Sequence, residues 1–316
     1  MRRRLVTATL AVAAAAACSG DAPPPQQGDV GGPQPADTGN FEGRIYERNF
    51  VFAAVDGDSV FIVPWMMLAT ETPEAIQRDA HAWLSRGGVW DGFYAESWET
   101  SLDQDPTQLQ PHEGFSLLVR EGGAIDGIVF QEGRRELEII MDQVGASWTD
   151  ARGGSFEVLT GSAYLSAQRI DGMLLDVARA SVTGTPTGGD WAFLLSGDSA
   201  HFVLAADSEH GGEAEPLYRG WGDLEDDDEL VWPEVRVEWA RTEAFPPARR
   251  DVPVEWRVLS GDESVSGELE AVSAEIRAGE GPGPLLPVRA LYEVIGELRD
   301  SGDVYPVRGV LVHERR

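Results

Sequence analysis

The chain of 316 residues has a single cysteine, no lysine and only five histidines. One cysteine cannot form an internal disulfide, so the fold has to be stabilised by a buried core, which a chain of this length can supply. The histidines are scattered, and no spacing among them matches a metal-binding motif, so we expect neither a metal nor a cofactor. They are His81, His112, His201, His210 and His313.

Positive charge is scarce as well, because 25 basic residues stand against 54 acidic ones and give a formal net charge of -29. A field of this sign repels nucleic acid and anionic lipid headgroups, so we expect neither as a partner. The acidic run Asp223–Glu229 invites a calcium interpretation, but a calcium loop needs carboxylates at alternate positions and these are nearly consecutive. We interpret the run as a solvated loop.

Long apolar runs are absent except near the N-terminus. Three arginines, Arg2–Arg4, precede the apolar run Leu5–Ala17, which ends in small residues and is followed by Cys18. A charged region, an apolar region and a small-residue cleavage site predict a signal peptide over residues 1–17. The apolar run is too short to cross a bilayer, which takes about 20 residues.

The cysteine after this cleavage site resembles the lipobox of bacterial lipoproteins. The resemblance implies that Cys18 carries a diacylglycerol on its thiol and a further acyl chain, such as palmitate, on its amine, and therefore anchors the chain in the cell envelope. Ser19 follows instead of aspartate, which favours the outer membrane if the cell has two membranes. Ala15 and Ala17 also satisfy the rule for ordinary secretion, which would release a soluble protein with a free thiol.

The remaining chain divides by composition. Residues 18–40 are rich in Pro, Gly, Gln and Asp and predict a flexible tether, which would be lipidated at its first residue. From Phe41 onward, short apolar runs alternate with turns, which predicts a mainly β fold of two packed antiparallel barrels or sandwiches. The stretch Thr183–Asp190 interrupts the strands, so we predict a β-rich domain over 41–186 and a β-barrel domain over 187–316.

One helix is predicted in the first half of the chain. Thr72 has the character of an N-cap, Pro73 suits the first helical position, and Gly87-Gly88 would end the helix. Its apolar face would consist of Ile76, Ala80, Trp83 and Leu84. Residues 137–144 fit either a strand or a helix.

Each motif that resembles a known catalytic centre lacks a residue that the centre requires. Gly57-Asp58-Ser59 and Gly197-Asp198-Ser199 resemble a block of one esterase class, but that class also needs an aspartate three residues before a C-terminal histidine, and His313 has Val310 there. Both blocks lie between apolar runs, which predicts hairpin turns. His112-Glu113 begins no zinc motif, because no second ligand follows at helical spacing.

Ten tryptophans are the most informative feature that remains. Large aromatic residues pack β interiors, and they also line cavities for apolar or ring-bearing ligands, so both interpretations stay open. The aromatic residues of the second half are our candidate ligand-binding residues: Trp191, Tyr218, Trp221, Trp239, Trp256 and Tyr292.

Two C-terminal segments are similar to a known family. Phe245–Val258, with a turn followed by a Pro-Val-Glu-Trp-Arg strand, and Leu291–Glu314 resemble elements of the AttH/CrtC-like (hydroxyneurosporene synthase-like) lipocalin-related proteins. The resemblance covers the last third of the chain. Trp90–Tyr94 only loosely matches the family's N-terminal aromatic motif, and Leu311 replaces the second glycine of its closing motif. The resemblance implies two tandem lipocalin-like barrels with a ligand site in or between them, in a family that includes carotenoid hydratases and pericyclase-like enzymes.

Three functions are compatible with these features. The leading interpretation is a membrane-anchored envelope lipoprotein that holds a hydrophobic small molecule or lipid in a β-barrel cavity without catalysis. The alternatives are a passive scaffold and a lyase like the carotenoid hydratases, which would hydrate or isomerise an alkene with a buried carboxylic acid beside aromatic residues. Three carboxylates adjoin aromatic residues: Glu238, Glu255 and Glu293. Sequence neighbours in a strand point to opposite faces, which argues against each pair sharing a cavity.

The anchor is tested by replacing Cys18 with serine. Because serine cannot form the thioether, we expect Cys18→Ser to move the protein from the membrane fraction to the soluble fraction, as measured by immunoblotting of fractionated host cells. If the variant stays with the membrane, the lipoprotein prediction is wrong.

Overall fold

A computed structural model describes the chain from Gly43 to Arg315 with short gaps. The described ranges are 43–57, 59–119, 125–165, 168–182, 189–197, 200–208, 210, 216–224, 229–261, 264–281 and 283–315. The predicted signal peptide, Cys18 and the predicted tether lie outside these residues. No helix in the described part of the chain is long and apolar enough to cross a bilayer.

Seventeen antiparallel strands and one short 3-10 turn (Pro246–Ala248) make up the described fold. The first nine strands are β1 (Arg44–Asp56), β2 (Ser59–Glu71), β3 (Ile76–Arg86), β4 (Val89–Thr100), β5 (Phe115–Val119), β6 (Ile125–Glu132), β7 (Arg135–Thr149), β8 (Ser155–Leu165) and β9 (Gln168–Val182). The other eight are β10 (Trp191–Ser196), β11 (Ala200–Ala206), β12 (Tyr218–Leu224), β13 (Glu229–Phe245), β14 (Arg250–Ser260), β15 (Val265–Ala278), β16 (Val288–Asp300) and β17 (Asp303–Arg315).

The strands form one curled sheet and one closed barrel. Strands β1 to β9 form a nine-stranded sheet in the order β4-β3-β2-β1-β9-β8-β7-β6-β5, and β10 to β17 close into an eight-stranded barrel. The barrel closes where β10 pairs with β17, with Leu194 opposite Gly309. The predicted mainly β class with packed antiparallel barrels is therefore confirmed, with the first sheet curled rather than fully closed.

The predicted helix is wrong, because residues 76–86 form strand β3. The hydroxyl of Thr72 accepts hydrogen bonds from the amides of Glu74 and Ala75, but it caps a tight turn between two strands and not a helix. Inward residues alternate along β3, and they include Arg78, which the helical pattern left out. Apolar residues four positions apart lie on one face of a helix and also on one face of a strand, so their spacing fits both structures. The pairing of β3 with β2 and β4 makes this segment a strand.

Turns and strands elsewhere follow the sequence patterns. Gly57 and Gly197 lie in the hairpin turns of β1–β2 and β10–β11 with φ of +60° and +61°, a conformation that favours glycine. This confirms the turn interpretation of both Gly-Asp-Ser blocks. The ambiguous residues 137–144 belong to strand β7.

Three apolar layers hold the structure together. One fills the curled sheet around Trp65 and Phe130, and another fills the closed barrel. The third lies between the outer faces of the sheet and the barrel, where Phe156 and Trp148 of the sheet pack against Trp221 of the barrel. Strands β10 and β11 contribute to both the barrel interior and this middle layer, which explains why they are buried along almost their whole length.

Polar contacts hold the curled sheet and the closed barrel in one relative position. The buried carboxylate of Glu293 on β16 accepts a hydrogen bond from the Ser85 hydroxyl at 2.6 Å and one from the Gly88 amide at 3.1 Å. Arg289 donates to the buried Glu47 at 2.8 Å, and Asn49 donates to the same oxygen at 2.7 Å. Hydrogen bonds to charged groups are directional, so they select one arrangement of the two apolar faces.

Closure of the barrel depends on a glycine, because a Cβ atom at Gly309 would overlap the carbonyl oxygen of Phe193 on the paired strand. We expect Gly309→Ala to lower the free energy of unfolding by about 2 kcal/mol through overpacking. The matched control is Gly261→Ala, where a Cβ would meet open space, and its effect should stay within about 0.5 kcal/mol. Thermal and urea denaturation measure both, and equal stability of the two variants would contradict this account of closure.

Candidate functional site

The structure separates the six predicted ligand-binding residues into two groups. Trp191 and Trp221 lie in the layer between the sheet and the barrel. The other four, Tyr218, Trp239, Trp256 and Tyr292, point into the closed barrel or pack against its core. The barrel interior is therefore where the predicted residues converge.

The three predicted carboxylates do not join these aromatic side chains. Glu238 is exposed and Glu255 is partly exposed, whereas Trp239 and Trp256 face the barrel interior. Glu293 is buried, but it lies between the two parts of the molecule and binds Ser85. The alternation of strand side chains accounts for all three placements.

A different set of polar residues meets the aromatic ones at the end of the barrel where β10 begins. We call this set the polar ring, and it consists of Asp190, His210, Tyr218, Trp239, Trp256, Tyr292 and His313. Strand register brings the members together: Trp239 pairs with Trp256 across β13 and β14. Ala290 pairs with His313 and Tyr292 with Leu311 across β16 and β17, so the tyrosine and the histidine are diagonal neighbours on one face.

Asp190 and His313 form the core of the polar ring. The Nδ1 atom of His313 lies 2.9 Å and 3.0 Å from the two carboxylate oxygens of Asp190, and both residues are buried. The backbone amide of Glu314 donates to the same carboxylate at 3.0 Å. A carboxylate can only accept, so Nδ1 carries a proton, and Nε2 is the imidazole nitrogen that can exchange a proton with a bound molecule.

His210 and Tyr218 complete the hydrogen-bonded part of the polar ring. The Tyr218 hydroxyl lies 2.9 Å from Nε2 of His210 and donates to Asp190 at 3.3 Å. The same His210 nitrogen is 3.5 Å from the Asp190 carboxylate. Two imidazoles and a phenol thus surround one buried carboxylate.

These contacts set the ionisation of the ring. Burial opposes ionisation of Asp190, but the charges of His313 and His210 and the hydrogen bonds from His313 and the Glu314 amide outweigh it, so the pKa of Asp190 lies below its ordinary value. Burial, and then the charge of Asp190, raise the pKa of Tyr218 well above its ordinary value and also raise that of Tyr292. The carboxylate is therefore ionised at neutral pH, and both phenols keep their protons.

Four buried polar atoms of the ring have no hydrogen-bond partner among the described residues. They are His313 Nε2, Tyr292 Oη, Trp239 Nε1 and Trp256 Nε1. Leaving a buried donor or acceptor unpaired costs about 1–3 kcal/mol, so four such atoms within the polar ring call for a hydrogen-bonding partner. A molecule with polar groups, bound at the polar ring, would supply the missing partners.

Aromatic rings surround these atoms. The rings of Trp239 and His313 meet edge to face with centroids 5.3 Å apart, and those of Trp256 and Tyr292 do so at 5.1 Å. The guanidinium of Arg315 lies 5.4 Å from the Trp239 ring centre. Indole and phenol faces attract positive charge, and the Trp239 ring already interacts with the guanidinium of Arg315.

A pocket of about 240 Å³ opens beside Tyr292. It lies among the ends of β13, β14 and β15 and is lined by apolar side chains, with Arg241 and Glu243 as its charged residues. Tyr292 lines this pocket and also belongs to the polar ring, so the pocket borders the ring at this residue. Among the described residues, no group of three or more histidine, cysteine, aspartate or glutamate side chains is arranged to hold a metal ion.

Sequence reasoning identified the aromatic part of the polar ring and missed its acid–base part. Asp190 comes just before β10, and His210 lies in the connection between β11 and β12, so neither has a strand pattern around it. His313 does have a signal, because it continues the inward alternation of Val307 and Leu311 along β17. A histidine at an inward position of a barrel strand is a titratable group in an apolar interior, and such groups cluster at functional sites.

The contribution of Asp190 is tested by replacement with asparagine. We expect Asp190→Asn to lower the free energy of unfolding at neutral pH by about 3 kcal/mol, since His313 and the Glu314 amide lose a charged acceptor. The folded pKa of Asp190 lies below its unfolded value of about 3.9, so its stabilisation is present above that pH and lost as the pH falls through the lower folded value. The difference in free energy of unfolding between wild type and Asp190→Asn should therefore be smaller at acidic pH.

Denaturation at neutral pH and at about pH 3 measures this difference. The exposed Asp303→Asn is the control, and its effect should remain within about 0.5 kcal/mol at both pH values. A difference for Asp190→Asn that does not change with pH would contradict the lowered pKa.

Comparison with known proteins supports the fold. No family model matches the sequence, and no curated protein matches it. The structure of an AttH-like protein from Nitrosomonas europaea is similar at 11% identity and a TM-score of 0.55, over 87% of this chain and 92% of the other. Kievitone hydratase from Nectria haematococca is similar at 9% identity and a TM-score of 0.51, over 86% and 89% of the two chains. The similarity covers both the sheet and the barrel, so the chain has a tandem lipocalin-like fold.

Proposed function

We propose that this chain is a lipocalin-like enzyme that performs acid–base chemistry on a carbon–carbon double bond of an apolar, ring-bearing small molecule. The observation that carries the proposal is the Asp190–His313 pair: the carboxylate holds one imidazole nitrogen, and the other is buried, unpartnered and surrounded by aromatic side chains. A positioned imidazole next to a carboxylate is a common general acid and base. The hydratase activity in the name of one protein with the same fold agrees with this chemistry.

The reaction can be written with the residues of the polar ring. The imidazolium of His313 donates the proton on Nε2 to one alkene carbon, and positive charge develops on the other carbon. The oxygen of a water molecule bonds to that second carbon and returns a proton to Nε2, so the net change is addition of water. If the cation instead loses a different proton to Nε2, the double bond moves and no water is added.

The other residues of the ring have defined parts in this scheme. The Asp190 carboxylate stabilises the imidazolium, and its lowered pKa keeps it ionised while His313 gains and loses a proton. This differs from the predicted mechanism, in which a carboxyl group with a raised pKa is the acid. Tyr292 has a free hydroxyl to hold the water or a polar group of the substrate. Trp239 and Trp256 provide the aromatic faces that favour the cation.

Non-catalytic binding is the second candidate function. The four unpartnered atoms of the polar ring favour it, because any ligand with matching polar groups would satisfy them without reacting. The two candidates share the site and differ in whether His313 transfers a proton.

We also propose that the protein works at the cell envelope, anchored through Cys18. The sequence of charged, apolar and small residues before this cysteine supports the proposal. An anchored protein with an apolar site would meet hydrophobic substrates where they concentrate, at the membrane.

Replacement of His313 tests catalysis. Wild-type protein is incubated with kievitone or geraniol in water enriched in deuterium and oxygen-18, and mass spectrometry follows isotope incorporation. Because the imidazole is the proton donor, we expect His313→Gln to reduce incorporation about 100-fold or more. The control is His81→Gln, a partly exposed histidine outside the barrel, which should retain wild-type turnover.

Binding measured in parallel separates the two candidates. If wild-type protein binds these molecules and incorporates no isotope, catalysis on them is excluded and non-catalytic binding is supported. If His313→Gln turns over as fast as wild type, the role of His313 is wrong.

A further inference from the structure

The curled sheet contains a cavity of its own, separate from the polar ring. It has a volume of about 330 Å³ and lies inside the sheet at the end where β1 begins. Its apolar walls come from β2, β4 and the connection between β4 and β5, through Met67, Ala69, Trp98 and Leu109. This volume falls in the usual range for small-molecule sites, and the lining suits an apolar body.

One buried cation faces this cavity. Arg78 on β3 lines the pocket and is 5% exposed. Its guanidinium donates to the Thr100 hydroxyl at 2.9 Å, to the Gln108 carbonyl at 2.8 Å and to the Asp105 carbonyl at 3.1 Å. A guanidinium has five N–H donors, so two remain without a partner among the described residues.

The acceptors that Arg78 uses are all neutral. Asp105 offers its backbone carbonyl, while its exposed carboxylate accepts hydrogen bonds from the amide and hydroxyl of Thr107. Arg78 forms no ion pair with a described carboxylate, and burial lowers its pKa against the opposing charge of Asp105. A buried cation without a partner of opposite charge is costly, and proteins usually pair it.

The other charged groups at the cavity are already neutralised or turned away. Arg48 forms a two-point ion pair with Asp176, with distances of 2.7 Å and 3.1 Å. Glu47, on the opposite face of β1, pairs with Arg289. Asp79 is the strand neighbour of Arg78, so it points away from the interior, where it accepts a hydrogen bond from Ser97.

Arg179, which also lines the cavity, pairs with Asp150 at 3.5 Å. Arg78 is therefore the one inward charge at this cavity, among the described residues, that has no carboxylate within ion-pair distance. In a chain with a net charge of -29, such an arginine is an unusual feature.

We propose that this cavity binds a monocarboxylate with an apolar tail, such as a medium-chain fatty acid, with its carboxylate against Arg78. The carboxylate would accept the two remaining N–H donors and neutralise the buried charge, and the tail would pack on Met67, Ala69 and Trp98. The site goes beyond the proposed function, since it lies in the other half of the molecule and uses none of the polar ring.

A purely structural role for Arg78 makes a different prediction. If the arginine only anchors the connection between β4 and β5, the charge of a ligand should not matter to the unaltered protein. Two probes of equal length separate the cases without any substitution. Decanoate carries the carboxylate, and decanol is its neutral counterpart.

Isothermal titration calorimetry of the unaltered protein with decanoate and decanol is the first experiment. Because a charge-assisted pair of hydrogen bonds is lost with the alcohol, we expect decanoate to bind at least about tenfold more tightly. Equal affinities would overturn the assignment of Arg78 as the binding group. Failure of both probes to bind would overturn the site.

Substitutions then locate the binding. Ala178 lines the cavity, so Ala178→Trp should fill it and reduce decanoate affinity about tenfold or more, whereas Ala95→Trp, on an exposed position of β4, should not. Arg78→Lys keeps the charge and should retain part of the preference for decanoate over decanol, while Arg78→Gln should abolish it. Circular dichroism confirms that each variant is folded.

Decanoate affinity that Ala178→Trp leaves unchanged would place the ligand elsewhere and contradict the proposal. His313→Gln should bind decanoate with wild-type affinity, because His313 lies outside this cavity. Loss of decanoate binding therefore tests the Arg78 site, and loss of isotope incorporation tests the role of His313.

Discussion

The structure depends on the apolar layer between the curled sheet and the closed barrel. Trp191 and Phe193 on β10 and Val51 on β1 belong to this layer, and residues adjacent to them in sequence belong to the interiors on either side. The central strands are consequently apolar on both faces. Neither half could expose such a surface alone, since a contiguous apolar face of this size leads to association, so the two halves form one stable unit.

The interior of the closed barrel and the interior of the curled sheet contain different kinds of candidate site. The closed barrel encloses hydrogen-bonded acid–base groups at one end, where a low dielectric strengthens every interaction of Asp190. β4 and β5 stand at opposite ends of the strand order in the curled sheet, and hydrogen bonds from Tyr94 and Arg78 hold the connection between them. The polar ring thus lies in the fully closed part of the fold, and the cavity beside Arg78 lies in the incompletely closed part.

The β class and the hairpin turns at Gly57 and Gly197 could be predicted from the sequence, because they follow from local alternation and turn chemistry. Four of the six predicted aromatic residues lie in the polar ring. The prediction of a helix at residues 76–86 was wrong, because the apolar spacing there fits a helix and a strand equally well. Pairing with β2 makes the segment a strand. Sequence reasoning also missed Asp190 and His210, whose positions depend on how distant segments meet at the end of the barrel. Predictions about residues before the described range stay predictions.

The closure of β10 against β17 has a consequence for the timing of assembly. Asp190 and His313 are separated by 123 residues, and they meet only when the first and the last strand of the barrel pair. Pairing over such a distance is slow, because a long loop has to be ordered first. During synthesis Asp190 emerges 123 residues before His313, so the polar ring of a nascent chain stays incomplete until β17 has been made. The Asp190–His313 contact is therefore present only in molecules whose barrel has closed.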